Sequence, residues 1–280
     1  MKYRFYLDYI VRYLMFLVLI LLLIYIFHKP KPEDNPNFKV TKIIHQSWKS
    51  SRVPIRFRNY SKSWTEECFK DWTYMFWTDE DNFNFISKYY PWFLSTYNNL
   101  PEPIFKADAT RYFYMFHFGG IYTDLDNECL KPFEHLLNNY SMVFGAMDGQ
   151  YDDTSLPEGY VQNSFMYSTP RHEFWMEMIF NIMKKKISSS EFVPELVTGP
   201  ILLSNTLRDY RERFSSKIDE ISLKIYPSQY FNPFSWLVRK DNISFCKDFN
   251  KMSYKNWQLC KKFFKTKGSF VIQYHAHTWG

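Results

Sequence analysis

Asp124 and Asp126 stand one residue apart at the end of the stretch Gly119-Gly120-Ile121-Tyr122-Thr123-Asp124-Leu125-Asp126. On an extended strand, residues two apart point to the same face, so these carboxylates would sit about 6.6 Å apart at their Cα atoms. Oxygen ligands placed in that way suit Mg²⁺ or Mn²⁺, ions that keep water in their shell and share ligands with a substrate's phosphates. The matching chemistry is neutralisation of a departing diphosphate. The same two residues also suit a solvated turn, and a D-x-D motif alone does not choose. A second pair bears on the choice. Asp108 and Arg111 are three apart in a helical pattern, hence on one face. They form an ordinary ion pair or, beside a metal-bound diphosphate, hold sugar hydroxyls and phosphate oxygens.

The elements that must position these groups are legible around them. Ile104, Ala107, Tyr112, Met115 and Phe116 predict a helix facing a sheet, with Pro103 in its first turn and Gly119-Gly120 as its stop. Ile121 to Asp126 reads as the strand that follows. Upstream, the β-branched run near Lys42 to His45 predicts a first buried strand, and Phe57, Tyr60 and Trp64 a helix. Thr73 to Trp77 predicts a second strand. Asp79 reads as the cap of the next helix, with Phe83 and Ile86 on its inner face. Strand and helix alternate, which argues for an α/β domain with a mostly parallel sheet. In the second half, Ser141 to Met147 and Phe270 to His275 read as strands and Glu173 to Lys185 as an amphipathic helix. His275 and His277 would share one face of the last strand.

The 280 residues are 46% apolar and 21% aromatic, enough for a well-buried core. The net charge of +6 is mild, and Lys184-Lys185-Lys186 is the only tight basic run. That argues against nucleic acid as a partner. From Tyr13 to Phe27 no residue is charged; extended to Leu7, the run gives about 31 Å of helix, enough to span a bilayer. No small-x-small cleavage site follows, so residues 1–28 read as a cytosolic tail and an uncleaved transmembrane anchor. The proline-rich residues 29–39 read as a stem, and residues 40–280 as one domain. The charge bias around the span is weak. With the body in a lumen, Asn59, Asn139 and Asn242 are glycosylation sequons, and Cys68, Cys129, Cys246 and Cys260 can pair in any of three ways.

The segments Ile43–Lys49 (IIHQSWK), Trp77–Asp81 (WTDED), Tyr90–Leu94 (YPWFL), Pro103–Asp126 and Val197–Pro200 (VTGP) resemble, in this order, the D-x-D sugar-transferase family. That family includes the fungal inositol-phosphoceramide mannosyltransferases and the initiating α-1,6-mannosyltransferases. The likeness is densest from Lys42 to Leu137. Residues 162–175, 195–204 and 225–236 resemble the inositol-phosphoceramide branch.

The resemblance implies a GT-A fold: a Rossmann-like α/β domain with a mixed, mostly parallel sheet, here behind an N-terminal transmembrane helix. It further implies a nucleotide-sugar donor (GDP-mannose foremost, with UDP-galactose or UDP-glucose as the alternative), Mn²⁺ or Mg²⁺, retention of the anomeric configuration, and a glycolipid or glycan acceptor. A type II membrane protein with its catalytic domain in the Golgi or ER lumen is implied as well. Carried over residue by residue, Asp124 and Asp126 become metal ligands, Asp126 the more direct, with Asp124 also near the ribose. Asp108 and Arg111 would bind the donor sugar and assist its leaving diphosphate. Gln46, Trp48 and Tyr122 would contact the nucleotide sugar, and Asn163 would lie in the active cleft. His277, as a further metal ligand, and Trp279 would close over the diphosphate. Two rivals are weighed against this: an aspartyl phosphohydrolase, disfavoured by Asn127-Glu128 after the motif, and a non-catalytic sugar-binding protein, disfavoured because all four charged residues are present.

Overall fold

The computed structural model describes residues 39–147, 160–185, 193–214, 222–233, 243, 246 and 252–275. The proposed anchor and stem, the Asn242 sequon, His277 and Trp279 lie outside the described residues. Among the described residues, no helix is long and apolar enough to cross a membrane.

The chain opens with β1 (Ile43–Ser47), then α1 (Ile55–Lys62), which runs on as a wide turn through Cys68. β2 (Thr73–Trp77), α2 (Asp79–Tyr89) and the short α3 (Leu94–Asn99) follow. α4 (Pro103–His117) leads into β3 (Gly120–Thr123), β4 (Asn127–Cys129) and β5 (Met142–Ala146). Next come β6 (Val161–Ser168), α5 (Glu173–Lys184), α6 (Pro194–Val197) and α7 (Pro200–Arg213). β7 (Leu223–Tyr226), α8 (Ser228–Phe231), α9 (Tyr254–Thr266) and β8 (Val271–Gln273) complete it.

Six strands form one mixed sheet in the order β2-β1-β3-β6-β5-β7. The pairs β1–β2, β1–β3 and β5–β7 are parallel, and β3–β6 and β5–β6 antiparallel. The carboxyl ends of β1, β3 and β5 and the start of β6 therefore meet at one edge of the sheet. Such an edge, where the chain changes direction across a sheet, is where open α/β folds bind ligands. One apolar cluster under α2, α4, α5 and α7 covers one face, and a second, built on Trp64, Phe133, Phe165 and Phe231, covers the other.

The helix before the motif stops as its sequence predicts. Gly119 and Gly120 have φ of +66° and +88°. A Cβ on Gly120 would meet the Ile43 carbonyl oxygen at 2.4 Å, so close strand approach and left-handed backbone both demand glycine there.

Four expectations need correction. Asp124 and Asp126 are not on a strand: β3 ends at Thr123, and Asp124 to Asn127 form a turn closed by the Asn127 N–H donating to the Asp124 carbonyl at 3.1 Å. The chain turns because β4 leaves the main sheet to pair with β8, and because Leu125 is drawn into a third apolar cluster. The cap of α2 is Thr78, in a reciprocal pair with Asp81, and not Asp79. Phe83 is exposed, whereas Phe85 and Ile86 face the core one turn after Asn82. The last strand is short and pairs with β4, and His275, beyond its end at φ +47°, leaves the strand face.

Candidate active site

Pro103 starts α4 with its orphan first turn at the sheet edge, so Asp108 and Arg111 emerge one turn down, both almost fully buried. Arg111 is the hub. Its guanidinium meets Asp108 Oδ1 at 2.7 Å and Asp124 Oδ1 at 3.2 Å, and donates to the Asn163 carbonyl at 2.9 Å. It also lies over the Tyr122 ring, 4.5 Å from the centroid. The Tyr122 hydroxyl donates to Asp124 Oδ1 at 2.8 Å. Asp108 accepts from the Asn163 amide at 3.2 Å and from the Thr198 hydroxyl at 3.4 Å. The helix pair, the turn and β6 are thus joined through charge.

Burial sets the electrostatics. Desolvation raises the Asp108 carboxyl, Arg111 partly offsets the rise and Asp124 and Glu195 add to it, which leaves the group at about 7. For Arg111 burial alone would weaken the charged form, but Asp108, Tyr122 and Asp124 outweigh it and raise its pKa. The guanidinium is a fixed positive charge. Burial likewise raises Tyr122 far above its ordinary value, so its phenol keeps its proton and donates.

These groups line a cleft of about 460 Å³, within the usual range for small-ligand sites. Asp108, Arg111, Tyr122, Asp124, Asp126, Asn163 and Trp48 all reach it. Gln46 does not. It is fully buried, donates to the Asp124 carbonyl at 3.1 Å and accepts from Tyr74 at 2.9 Å. Its role is to brace the turn; the alternation of β1 leaves Ser47 and Trp48 at the cleft instead. Trp48 packs against Phe57 at 5.3 Å, and its indole N–H is buried without a partner among the described residues.

The cleft also holds residues that single motifs do not announce: Asp79, Glu102, Gln162, Ser164, Glu195 and Gln273. They come from helix starts and strand ends that only the fold assembles. The signal available for Asp79 and Glu102 is their place at the first turn of a helix that follows a strand or a loop at this edge.

The donor set fits a hard divalent cation. The Asp124–Asp126 turn offers two carboxylates to one cleft. An ion held by so few protein oxygens keeps positions for phosphate oxygens and water, the habit of Mg²⁺ and Mn²⁺. Both bonds to Asp124, from Tyr122 and from Arg111, go to Oδ1.

Comparison with known proteins bears on this helix-borne Asp–Arg pair and its D-x-D turn. Residues 54–143 match the family described as the glycosyltransferase sugar-binding region containing the DXD motif. A mannosyl phosphorylinositol ceramide synthase of Saccharomyces cerevisiae is 32% identical over 70% of this chain and 50% of its own length. Inositol phosphoceramide mannosyltransferase 1 of Schizosaccharomyces pombe is 33% identical over 59% of this chain and 50% of its own. An initiation-specific alpha-1,6-mannosyltransferase of Saccharomyces cerevisiae is 33% identical over 34% of this chain and 21% of its own. The chain spans about half the length of the first two relatives. The resemblance read from the sequence holds: residues 54–143 match the D-x-D glycosyltransferase region, and the chain is similar to enzymes named as mannosyltransferases.

Proposed function

We propose that this protein is a retaining, metal-dependent mannosyltransferase of the GT-A type. It would use GDP-mannose as donor and act on an inositol-phosphoceramide-like glycolipid or a glycan. The observation that carries the reading is the charged chain Asp108–Arg111–Asp124 in the wall of the cleft, continuous with the D-x-D turn. The donor sugar and the acceptor come from the relatives' names.

Asp124 and Asp126 would hold Mn²⁺ or Mg²⁺, which when bound stabilises the charge of a leaving diphosphate. Arg111 supplies a second, permanent positive charge whose position is fixed by Asp108, so it needs no reorganisation as negative charge develops. Trp48 offers a ring for the base and an unpaired N–H, and Asn163 and Asp108 offer an amide and a carboxylate to sugar hydroxyls. The bond from the anomeric carbon to the diphosphate oxygen breaks as an acceptor hydroxyl bonds to that carbon from the same face. The hydroxyl proton passes to the departing phosphate oxygen. Asp108 and Asp124 are tied to Arg111, and Asp126 would hold the metal, so none of the motif carboxylates is offered as a covalent nucleophile. We take front-face substitution over double displacement, for which Glu195, unengaged among the described residues, would be the cleft carboxylate to test.

The N-terminal apolar run supports a single-pass anchor. The disulfides Cys68–Cys129 and Cys246–Cys260 support an oxidising lumen, in the Golgi or ER, as the place of the catalytic domain.

The test is donor hydrolysis by the purified full chain with GDP-mannose, UDP-galactose, UDP-glucose and UDP-N-acetylglucosamine, each with Mn²⁺ or EDTA. The expected result is metal-dependent turnover of GDP-mannose, abolished in Asp126→Ala with the fold retained. Preference for a UDP-sugar would keep the fold and change the donor. Turnover of no donor, without metal-dependent nucleotide binding, would favour a sugar-binding scaffold.

A further inference from the structure

The strand order lays the cleft out as a row of chemistries. Ser47 and Trp48 stand at the end of β1, Tyr122 and Asp124 at the end of β3, Gln162 and Ser164 at the start of β6, and Met147 just after β5. In the sheet these strands are neighbours in the order β1-β3-β6-β5. With the base at Trp48 and the diphosphate at Asp124, the cleft over β6 and β5 lies beyond the reacting carbon.

We propose that this β6–β5 end is the acceptor subsite, that it takes a neutral polyhydroxy ring (a sugar or a cyclitol), and that Glu195 and Gln162 determine its specificity. The inference rests on the transferase reading above, because that reading sets which end holds the donor.

Unspent hydrogen bonds point to a ligand. The Ser164 hydroxyl lies 3.0 Å from Gln162 Oε1 and 3.0 Å from Gln273 Oε1. One hydroxyl hydrogen serves only one of these oxygens, which leaves acceptor capacity in the ladder. Gln162 is buried, and its side-chain nitrogen has no partner among the described residues. Such an orphan donor is costly unless something entering the cleft satisfies it. Ring hydroxyls, each both donor and acceptor, match an amide that has both to offer.

Glu195 enters from the opposite wall on α6 and takes no hydrogen bond or ion pair among the described residues. Its backbone is held firmly. Pro194 opens the helix, and a Cβ on Gly199 would meet the Glu195 Cα at 2.7 Å, so the turn closes tightly under it. The adjoining Thr198 donates to Asp108 at 3.4 Å, and Tyr112 donates to the Thr198 carbonyl at 2.7 Å. A carboxylate on a backbone so held is an available acceptor for a pair of hydroxyls.

Charge excludes the other class of occupant. Among the described residues, Lys49 and Arg111 are the only lysine and arginine that line the cleft. Lys49 follows Trp48 at the base end, and Arg111 is committed to Asp108, Asp124 and the Asn163 carbonyl. Among the described lining residues no further lysine or arginine is left to hold a phosphate beside Glu195. On this proposal a phosphate carried by the acceptor lies outside the subsite, with only its neutral ring inside.

The test is saturation-transfer NMR on the purified full chain with GDP and Mg²⁺ present. The probes are methyl α-mannopyranoside, myo-inositol and myo-inositol 1-phosphate. A neutral probe should bind, and its affinity should fall roughly tenfold or more in Glu195→Gln and in Gln162→Leu. GDP binding in the same samples reports that the rest of the cleft is formed. Inositol phosphate should bind no more tightly than inositol. Failure of the parent chain to bind either neutral probe, unchanged affinity in both variants, or tighter binding of the phosphate ester overturns the proposal. Polyol binding without metal-dependent hydrolysis of any donor would sink the transferase reading and leave a polyol site.

Discussion

The Tyr122 hydroxyl donates at 2.8 Å to Asp124 Oδ1, the same oxygen that Arg111 approaches at 3.2 Å. One carboxylate oxygen of the D-x-D turn is thus held from two sides. Tyr122→Phe keeps the ring under Arg111 and removes only the hydroxyl. A hydrogen bond to a charged group contributes about 1.5–3 kcal/mol. The expected outcome is at least a roughly tenfold loss in kcat/KM for donor hydrolysis, with a higher Mn²⁺ concentration needed for half-maximal rate. Initial rates over a Mn²⁺ titration check both. An unchanged metal requirement would mean that Tyr122 does not orient Asp124.

Asp108 and Arg111 form the buried pair on which the site turns, 2.7 Å apart. Removing one partner of such a pair leaves a charge uncompensated, at a cost of about 3–5 kcal/mol. Asp108→Asn should lower stability toward that range and cut activity at least a hundredfold. Arg111→Lys should be milder in stability and equally severe in activity, because a point charge cannot reach Asp108, Asp124 and the Asn163 carbonyl together. Urea unfolding alongside donor hydrolysis separates the two effects. A fully active Arg111→Lys would show that charge suffices and geometry does not matter.

Much of this site is legible in the sequence because its determinants are local. Pro103, the three-residue spacing of Asp108 and Arg111, and Gly119-Gly120 each act within one helix or its ends. Thr73 to Trp77 is similarly readable, since β-branched and aromatic residues between polar breaks describe a strand, here the half-buried edge of the sheet. Long-range pairing is what stays hidden. Nothing near Asp126 announces that β4 will pair with β8, so the motif looks like a strand although it is a turn. Gln46 looks like a ligand group, yet the register of β1 buries it under Asp124. Glu195, Gln162 and Gln273 enter the cleft from elements that the chain brings together only on folding.

The disulfide between Cys68 and Cys129 ties the end of the α1 turn to β4, directly after the motif, and closes 61 residues. Cys246–Cys260 closes 14. Chain-entropy reasoning gives about 4 kcal/mol for the longer loop and about 3 kcal/mol for the shorter. Reduction under native conditions should therefore lower the unfolding midpoint strongly. Cys68→Ala/Cys129→Ala should lose donor hydrolysis as well as stability, because β4 carries the turn. Cys246→Ala/Cys260→Ala should lose mainly stability. Equal activity losses in the two variants would contradict the link from β4 to the motif.

His45 and His172 make stability fall in mild acid. The His45 ring is buried: Nε2 lies 2.9 Å from the Gly119 carbonyl, and Nδ1 accepts from the Trp77 indole at 3.2 Å. Those partners require the neutral ring with its proton on Nε2. His172 caps α5 by accepting from the Phe174 N–H at Nδ1, 3.3 Å away, which also requires an unprotonated nitrogen. Burial lowers both to about 4 from the ordinary 6.5. Between those values the unfolded chain binds more protons than the folded one, so stability rises with pH. The contribution is complete above pH 6.5 and is lost as pH falls toward 4. Each group contributes up to about 3 kcal/mol over that window, less for the incompletely buried His172. Urea midpoints from pH 7.5 to 4.5 should decline accordingly. His172→Asn keeps an N-cap and removes the titration, so its decline should be shallower, with the His45 share remaining. A parent and a His172→Asn variant with the same slope would show that His172 does not titrate in this range.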